Sequence, residues 1–372
     1  MENFKNNKSL SSKEKTVNLF LVGPGMVGGA FLELIVKRKS YLSERYNIKI
    51  NLSGLMSRKN VLFEKTGIDP GNWKMLLLNS QMESDAESFI EKMKEMNLPN
   101  SVFADCTAND SMVKYYLSIL SSRISIVTPN KIANTQSYDQ FIALRETSAK
   151  HKVQFRYGTN VGSALPFIST LKDIVSNGDE ISKIEGVFSG TLSFIFNSLK
   201  EKDSFSEVIK TAQEKGYTEP DPRDDLKGLD MARKLLILIR ESGIPFELED
   251  IEIEKLISQE SENANSIEEF YKNLKADDNR IIEMKKKAAA KECVLCYIAK
   301  YENGKASLSI QEINKKHPFY NLIDSENIVA FTTKNYWKNP LTIKGQGAGA
   351  DFTAVGILSD ILRISNYLEL IP

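Results

Sequence analysis

The residues Gly23-Pro-Gly25-Met-Val-Gly28 stand between a short apolar run, Thr16–Val22, and a segment that reads as a helix from Ala30 to Lys37. A strand, a glycine turn and a helix in that order leave little choice of fold. The glycines permit a tight turn and bring backbone amides close to a pyrophosphate at the helix N-terminus. GxGxxG alone is a weak signal, because glycine turns are common. Its place between strand and helix makes it the fingerprint of a Rossmann-type nucleotide-binding domain. Gly23, Gly25, Met26, Val27 and Gly28 are the first candidate cofactor-binding residues.

The second strand of such a domain falls at about Ile48–Leu55. A fold that prefers NAD places an acid at its end, to hold the ribose hydroxyls. This chain has Met56-Ser57-Arg58-Lys59 there. Basic residues suit a 2′-phosphate, so Arg58 is a candidate contact and NADPH is the expected cofactor, with NADH as the other choice. A solvated pair of surface cations gives the same pattern. Ser101–Asp105 and Ile124–Val127 read as further buried strands, and the first of them ends at the sheet crevice where ligands bind.

At 372 residues the chain is long enough for two domains, each with its own core. Lys+Arg and Asp+Glu number 49 each, so there is no electrostatic case for nucleic acid or an anionic membrane. Two histidines, His151 and His317, exclude a multi-histidine metal site. Three cysteines fit a reducing cytoplasm. Cys293 and Cys296 have CxxC spacing, but they lie in a segment that alternates like a strand, and no second ligand pair follows. Residues 1–15 are polar and lysine-rich, which reads as a frayed leader and not a signal peptide. No apolar run approaches the ~20 residues of a membrane helix.

The stretch from Gly216 to Lys234 is dense in carboxylates and ends on a lysine. Pro220 and Pro222 argue against helix there, which puts Glu219 and Asp221 on a stiff turn. Asp224 or Asp225 can cap a helix that runs from about Leu226 or Leu229 to Glu241. Asp230 and Lys234 are four apart, on one face of that apolar helix. An ion pair that merely fixes packing has the same signature. Glu219 upstream and a nucleotide-binding start favour a second reading, in which acids and lysine bind an amino acid and move a proton.

GVFSGTLSFIFNSL (Gly186–Leu199) followed by GYTEPDPRDDLKGLDMARKLLIL (from Gly216) resembles the signature of the homoserine dehydrogenases, and the likeness runs from about Val17 to Leu370. The chain is especially similar to the dehydrogenase half of the bifunctional aspartokinase–homoserine dehydrogenases. The resemblance implies NAD(P)H-dependent, reversible reduction of L-aspartate 4-semialdehyde to L-homoserine, in the branch that leads to threonine, methionine and isoleucine. It implies Lys234 as proton donor, Lys131 of "TPNK" as a second lysine beside the nicotinamide, and Asp230 orienting Lys234 or a water. It places substrate against Glu219, more weakly Asp225, the Tyr217 backbone, Gly190 and Thr191. Thr107, Ala108 and Gly349 match positions that meet the cofactor. Family members hold an alkali cation through an acid and backbone carbonyls. The acid's position is Gly158 here, and Val161, Ser163 and Leu165 keep only their carbonyls, so no metal is expected.

The expected fold class is α/β, with a Rossmann-type nucleotide-binding domain (16–147 and 341–372) and an α+β catalytic and dimerisation domain with a mixed sheet (148–340). The last helix, Val355–Leu368, should return to the nucleotide domain. A cytoplasmic homodimer or higher homo-oligomer is expected. No kinase or regulatory segment is visible, so end-product control has no evident place to act. Two other readings stay open: a catalytically inactive NADP-binding paralogue, favoured only by Gly158, and an acylating dehydrogenase using Cys106, which needs a low-pKa thiol with a base nearby.

Overall fold

The computed structural model describes residues 14–199 and 204–367. The expected leader lies almost wholly outside them. The chain forms two compact units: Met1–Ile132, Ile142–Tyr157 and Thr353–Pro372 make the first, and Ala133–Phe141 with Gly158–Phe352 the second.

The first unit holds strands β1 (Lys15–Val22), β2 (Ile48–Met56), β3 (Asn60–Ile68), β4 (Met82–Glu83), β5 (Ser101–Asp105), β6 (Ser125–Val127) and β7 (Phe155–Arg156). Their order in the sheet is β4-β3-β2-β1-β5-β6-β7. β1, β2, β5, β6 and β7 run parallel, and β3 and β4 extend one edge antiparallel. The chain steps from β1 out to β2, then returns to β5 on the other side of β1. The strand order therefore reverses between β1 and β5, where a parallel sheet opens a crevice at its carboxyl ends.

β1 is buried on both faces, as a central parallel strand must be. Val17, Leu19 and Leu21 pack with Phe31, Leu32 and Ile35 of the Met26–Tyr46 helix and with Ala354, Ile357, Ile361 and Ile364 of the Ala350–Ser365 helix. The last helix thus joins the nucleotide domain, as the sequence indicates. The first helix runs past Lys37 to Tyr46, because no breaker intervenes before Asn47, which ends it in the left-handed conformation (φ 54°).

The second domain was expected to begin at residue 148. Instead, Phe155–Arg156 pairs parallel with β6 and completes the first sheet, with the Ile126 N–H donating to Gln154 O (2.8 Å) and the Thr128 N–H to Arg156 O (2.9 Å).

The second unit contains β8 (Ile181–Val187), β9 (Ile251–Ile253), β10 (Cys293–Glu302), β11 (Lys305–Asn314), β12 (Glu326–Thr333) and β13 (Leu341–Gln346). The order is β13-β12-β8-β10-β11-β9. Pairing is antiparallel except between β11 and β9, so the sheet is mixed. A tight turn at Asn303-Gly304 joins β10 to β11. The expected return to the nucleotide domain at residue 341 is corrected: β13 pairs antiparallel with β12, and the chain re-enters the first unit at Thr353.

Residues 276–280 form a polar run, Ala-Asp-Asp-Asn-Arg, in the middle of a long amphipathic stretch. The structure has one helix, Ile267–Ala290. Its polar run is not punctuation. Asp277 is buried and accepts from Ser258 and Ser261, while Asp278 accepts from the N–H and hydroxyl of Ser206.

Candidate active site

In the first unit the glycine turn closes directly on β5. Gly23 has φ +82°, and a Cβ there would lie 2.9 Å from the Cys106 carbonyl carbon and from the Thr107 nitrogen. Only glycine fits both the dihedral and the gap. The Gly23 N–H donates to Met56 O (3.0 Å), which ties the end of β2 to the same turn. Arg58 follows two residues later, exposed at the tip of the β2–β3 hairpin, whose backbone Ser57 and Asn60 pin together. The Met26–Tyr46 helix starts with no side-chain cap and no acid in its first turn, and Met26 is 87% exposed. Its first N–H groups and positive dipole end suit an anion.

Thr107 is half-buried and Ala108 exposed just beyond β5. Lys131 is half-buried in the loop after β6. That loop is braced on both sides: the Asn130 N–H donates to Thr128 Oγ1 (2.9 Å) and the Ile132 N–H to Asn130 Oδ1 (3.0 Å).

In the second unit the carboxylate-rich stretch folds differently from expectation. Pro222 starts a one-turn helix, Pro222–Leu226, because proline fits the first helical position. Asp221 caps it by accepting the Arg223 N–H (3.0 Å), so the cap is neither Asp224 nor Asp225. The main helix, Leu229–Glu241, begins after Gly228 at φ +73°, with no side-chain cap. Leu235 to Ile239 are fully buried.

Released from capping, Asp225 turns inward. Its Oδ2 accepts the Glu219 N–H (2.8 Å) and its Oδ1 meets the Thr191 hydroxyl (2.9 Å), which also reaches Tyr217 O (2.6 Å). Tyr217 stacks on Phe194, with ring centroids 4.4 Å apart. Burial raises the Asp225 carboxyl above the ordinary aspartate range. The Glu219 N–H and Thr191 hydroxyl oppose that shift, and the charges of Glu219 and Asp230 add to it.

Gly190 and Thr191 open the Gly190–Ser198 helix, capped by Ser189. Lys234 Nζ lies 2.6 Å from Asp230 Oδ2 and donates to Phe188 O (2.7 Å). Gly190, Thr191, Tyr217, Glu219, Asp225, Asp230 and Lys234 thus belong to one unit; hydrogen bonds join Thr191, Tyr217, Glu219 and Asp225, and an ion pair joins Asp230 to Lys234.

The profile of the homoserine dehydrogenase family matches residues 166–362, and that of the homoserine dehydrogenase NAD binding domain matches residues 23–158. The homoserine dehydrogenase of Schizosaccharomyces pombe is 35% identical over 370 residues, covering 97% of this chain and 98% of its own length.

The chain belongs to the homoserine dehydrogenase family.

The members of this family are oxidoreductases, and the NAD-binding domain implies a nicotinamide cofactor. Bifunctional aspartokinase/homoserine dehydrogenase 2 of Zea mays is 39% identical over 356 residues. The match covers 95% of this chain but 39% of the maize protein, so the chain spans about two fifths of that relative. A crystal structure of a Candida auris protein of unknown function superposes with a TM-score of 0.87 at 33% identity, covering 95% of this chain and 99% of that one.

Among the residues singled out in the sequence, Gly23, Gly25, Met26, Val27, Gly28, Arg58, Thr107, Ala108 and Lys131 lie in the first unit of this homoserine dehydrogenase fold. Gly349 falls in the second, at φ +112° between β13 and the last helix. Gly158 opens a single 3-10 turn, Gly158–Asn160, and supplies no carboxylate to a cation. Among the described residues no three His, Cys, Asp or Glu side chains gather as a metal site. No described helix is long and apolar enough to cross a membrane.

Burial, and then the neighbouring Asp105, hold the Cys106 thiol far above its ordinary range, which removes the thiolate an acylating dehydrogenase needs. Nothing in the relatives favours an inactive paralogue.

Four residues of consequence were missed in the sequence. Asp105, Tyr116 and Asn130 form a buried network in the first unit. The signal for Asp105 was an acid ending an apolar strand. Arg240, 2% exposed, donates to Asn134 O, Gln136 O and Phe246 O, pairs with Glu247 (2.6 Å) and stacks on Tyr138 and Phe141. An arginine directly after the apolar run Leu235–Ile239 was the signal there.

Proposed function

We propose that this chain catalyses the reversible reduction of L-aspartate 4-semialdehyde to L-homoserine with NADPH. The observation that carries the reading is the placement of Lys234. Its ammonium has three N–H donors. Asp230 and the Phe188 carbonyl take two of them at 2.6 and 2.7 Å, and the third is left for a substrate oxygen. When bound, the nicotinamide supplies the hydride. Lys234 then protonates the developing alkoxide, and in the reverse direction takes the hydroxyl proton. Asp230 holds the ammonium in place.

Glu219 and Asp225 are the partners for the substrate's ammonium group, with Thr191, Gly190 and the Tyr217 backbone shaping the same wall. Lys131 serves the nicotinamide side, with Gly349 in the turn before the last helix. Addition of aspartate semialdehyde to enzyme and NADPH should consume the reduced nucleotide and yield homoserine on amino-acid analysis. Absence of homoserine among the products would defeat the proposal.

The raised Asp225 carboxyl gives the binding reading a pH signature. An acid with a raised pKa becomes protonated at a higher pH than an ordinary aspartate, and a neutral Asp225 no longer attracts an ammonium. The KM for homoserine should therefore rise as pH falls, starting above the ordinary aspartate range, while the KM for the nucleotide stays level. Asp225→Asn should flatten that limb. An unchanged limb in the variant assigns it to another group.

NADPH is preferred over NADH in this reading because Arg58 stands beyond the end of β2 where an acid would otherwise lie. Arg58→Ala should raise the KM for NADPH about tenfold, as expected for one charge-assisted contact, and leave that for NADH little changed. Equal effects on both would separate Arg58 from the 2′-phosphate. A cytoplasmic homodimer built on the second unit's sheet completes the proposal. Light scattering should return twice the chain mass, and a monomer would remove that part.

A further inference from the structure

Asp105, the last residue of β5, has no exposed surface. Its two carboxylate oxygens serve different loops. Oδ1 accepts both the N–H (2.8 Å) and the hydroxyl (2.6 Å) of Thr107. Oδ2 accepts the Tyr116 hydroxyl (2.6 Å) and lies 3.5 Å from Asn130 Nδ2. The Asp105 carbonyl accepts the Thr128 hydroxyl (2.9 Å), and Asn130 Nδ2 donates across to Asn109 O (2.7 Å). One side chain therefore ties the loop after β5 to the loop after β6, at the reversal of strand order where the sheet crevice opens.

A buried carboxylate is costly unless its oxygens are filled. Here Thr107 fills Oδ1 and Tyr116 fills Oδ2. Thr107 has one hydroxyl proton, and Asp105 takes it at 2.6 Å. What Thr107 Oγ1 can offer a ligand is lone pairs alone.

We propose that Asp105 is a positioning residue of the nucleotide cradle: it fixes Thr107 as a hydrogen-bond acceptor for an O–H or N–H donor of the bound nicotinamide nucleotide. The proposal rests on the reading of the first unit as a nicotinamide-nucleotide domain. Two donors of that ligand meet the description, a ribose hydroxyl and the carboxamide NH2. Burial holds the Asp105 carboxyl above the usual aspartate range, and the hydrogen bonds from Thr107, Tyr116 and Asn130 oppose that shift.

The test titrates NADPH fluorescence on the full chain and on Asp105→Asn, Asp105→Ala, Thr107→Val and the Asp105→Ala/Thr107→Val double variant, with a thermal melt of each. Asparagine can turn its Oδ1 to both Thr107 donors and its amide to the Tyr116 oxygen, so Asp105→Asn should bind within about threefold of wild type. Asp105→Ala and Thr107→Val should each weaken NADPH by about tenfold or more, and the double variant no further than the worse single, because both remove one interaction. The KM for aspartate semialdehyde should not move. With the acetylpyridine analogue, which lacks the amide NH2, the Thr107→Val loss persists if the donor is the ribose and vanishes if it is the carboxamide.

Wild-type affinity in Thr107→Val, or losses that add fully in the double variant, would overturn the proposal even if Asp105→Ala fails to fold. A wild-type chain that binds neither NADPH nor NADH would instead overturn the cofactor reading, and this proposal with it.

Discussion

Lys234→Ala should lower turnover by about 100-fold or more and leave the affinity for NADPH at the wild-type value. The size follows from the loss of a positioned proton donor. The cofactor should be spared because the glycine turn proposed to hold it is built without Lys234. Stability should change little by loss of charge alone, because Asp230 is half-exposed and water can replace the ammonium. Single-turnover kinetics with saturating NADPH separate the chemical step from binding. A variant with near wild-type turnover would take Lys234 out of the mechanism and return the Asp230–Lys234 pair to the packing reading. A variant that loses NADPH binding as well would point to misfolding of the helix.

Gly23→Ala and Gly25→Ala should fail in different ways. At Gly23 a methyl meets the backbone of Cys106 and Thr107 at 2.9 Å, and φ is +82°. Backbone atoms cannot swing aside as a side-chain end can, and a left-handed alanine alone costs about 1–2 kcal/mol. Gly23→Ala should therefore lower the melting temperature by roughly 5 °C or more and also weaken NADPH. At Gly25 a methyl would meet nothing within 4 Å. Gly25→Ala should melt like wild type and yet bind NADPH about tenfold more weakly, because the methyl intrudes where backbone and pyrophosphate approach each other. Wild-type NADPH affinity in Gly25→Ala would show that the nucleotide does not lie along this turn.

The contrast between these two glycines also shows what the sequence could reveal. GxGxxG was legible because strand, turn and helix are local, and the roles of its glycines follow from spacing. The Gly216–Lys234 stretch was legible as a cluster of acids but not in its wiring. Asp225 is in reach of the cap position, yet its carboxylate is taken by Thr191, distant in sequence, and by the N–H of Glu219. Asp221, next to Pro222, was left to cap.

β13 was assigned to the wrong unit because a strand's letters do not say which edge it joins; its partner is β12. Asp277 and Asp278 lie in the middle of one helix, and each serves a serine at the start of another helix. For Asp225 and Asp278 the deciding partner, Thr191 or Ser206, came from a distant part of the chain. Composition and local pattern carry no record of that.

Purified protein would be given L-homoserine with NADP⁺ or NAD⁺ in parallel, and the near-ultraviolet band of the reduced nicotinamide followed with time. Reduction should depend on homoserine and run more efficiently with NADP⁺. No reduction with either nucleotide, in protein shown to bind NADPH, would contradict the proposed reaction.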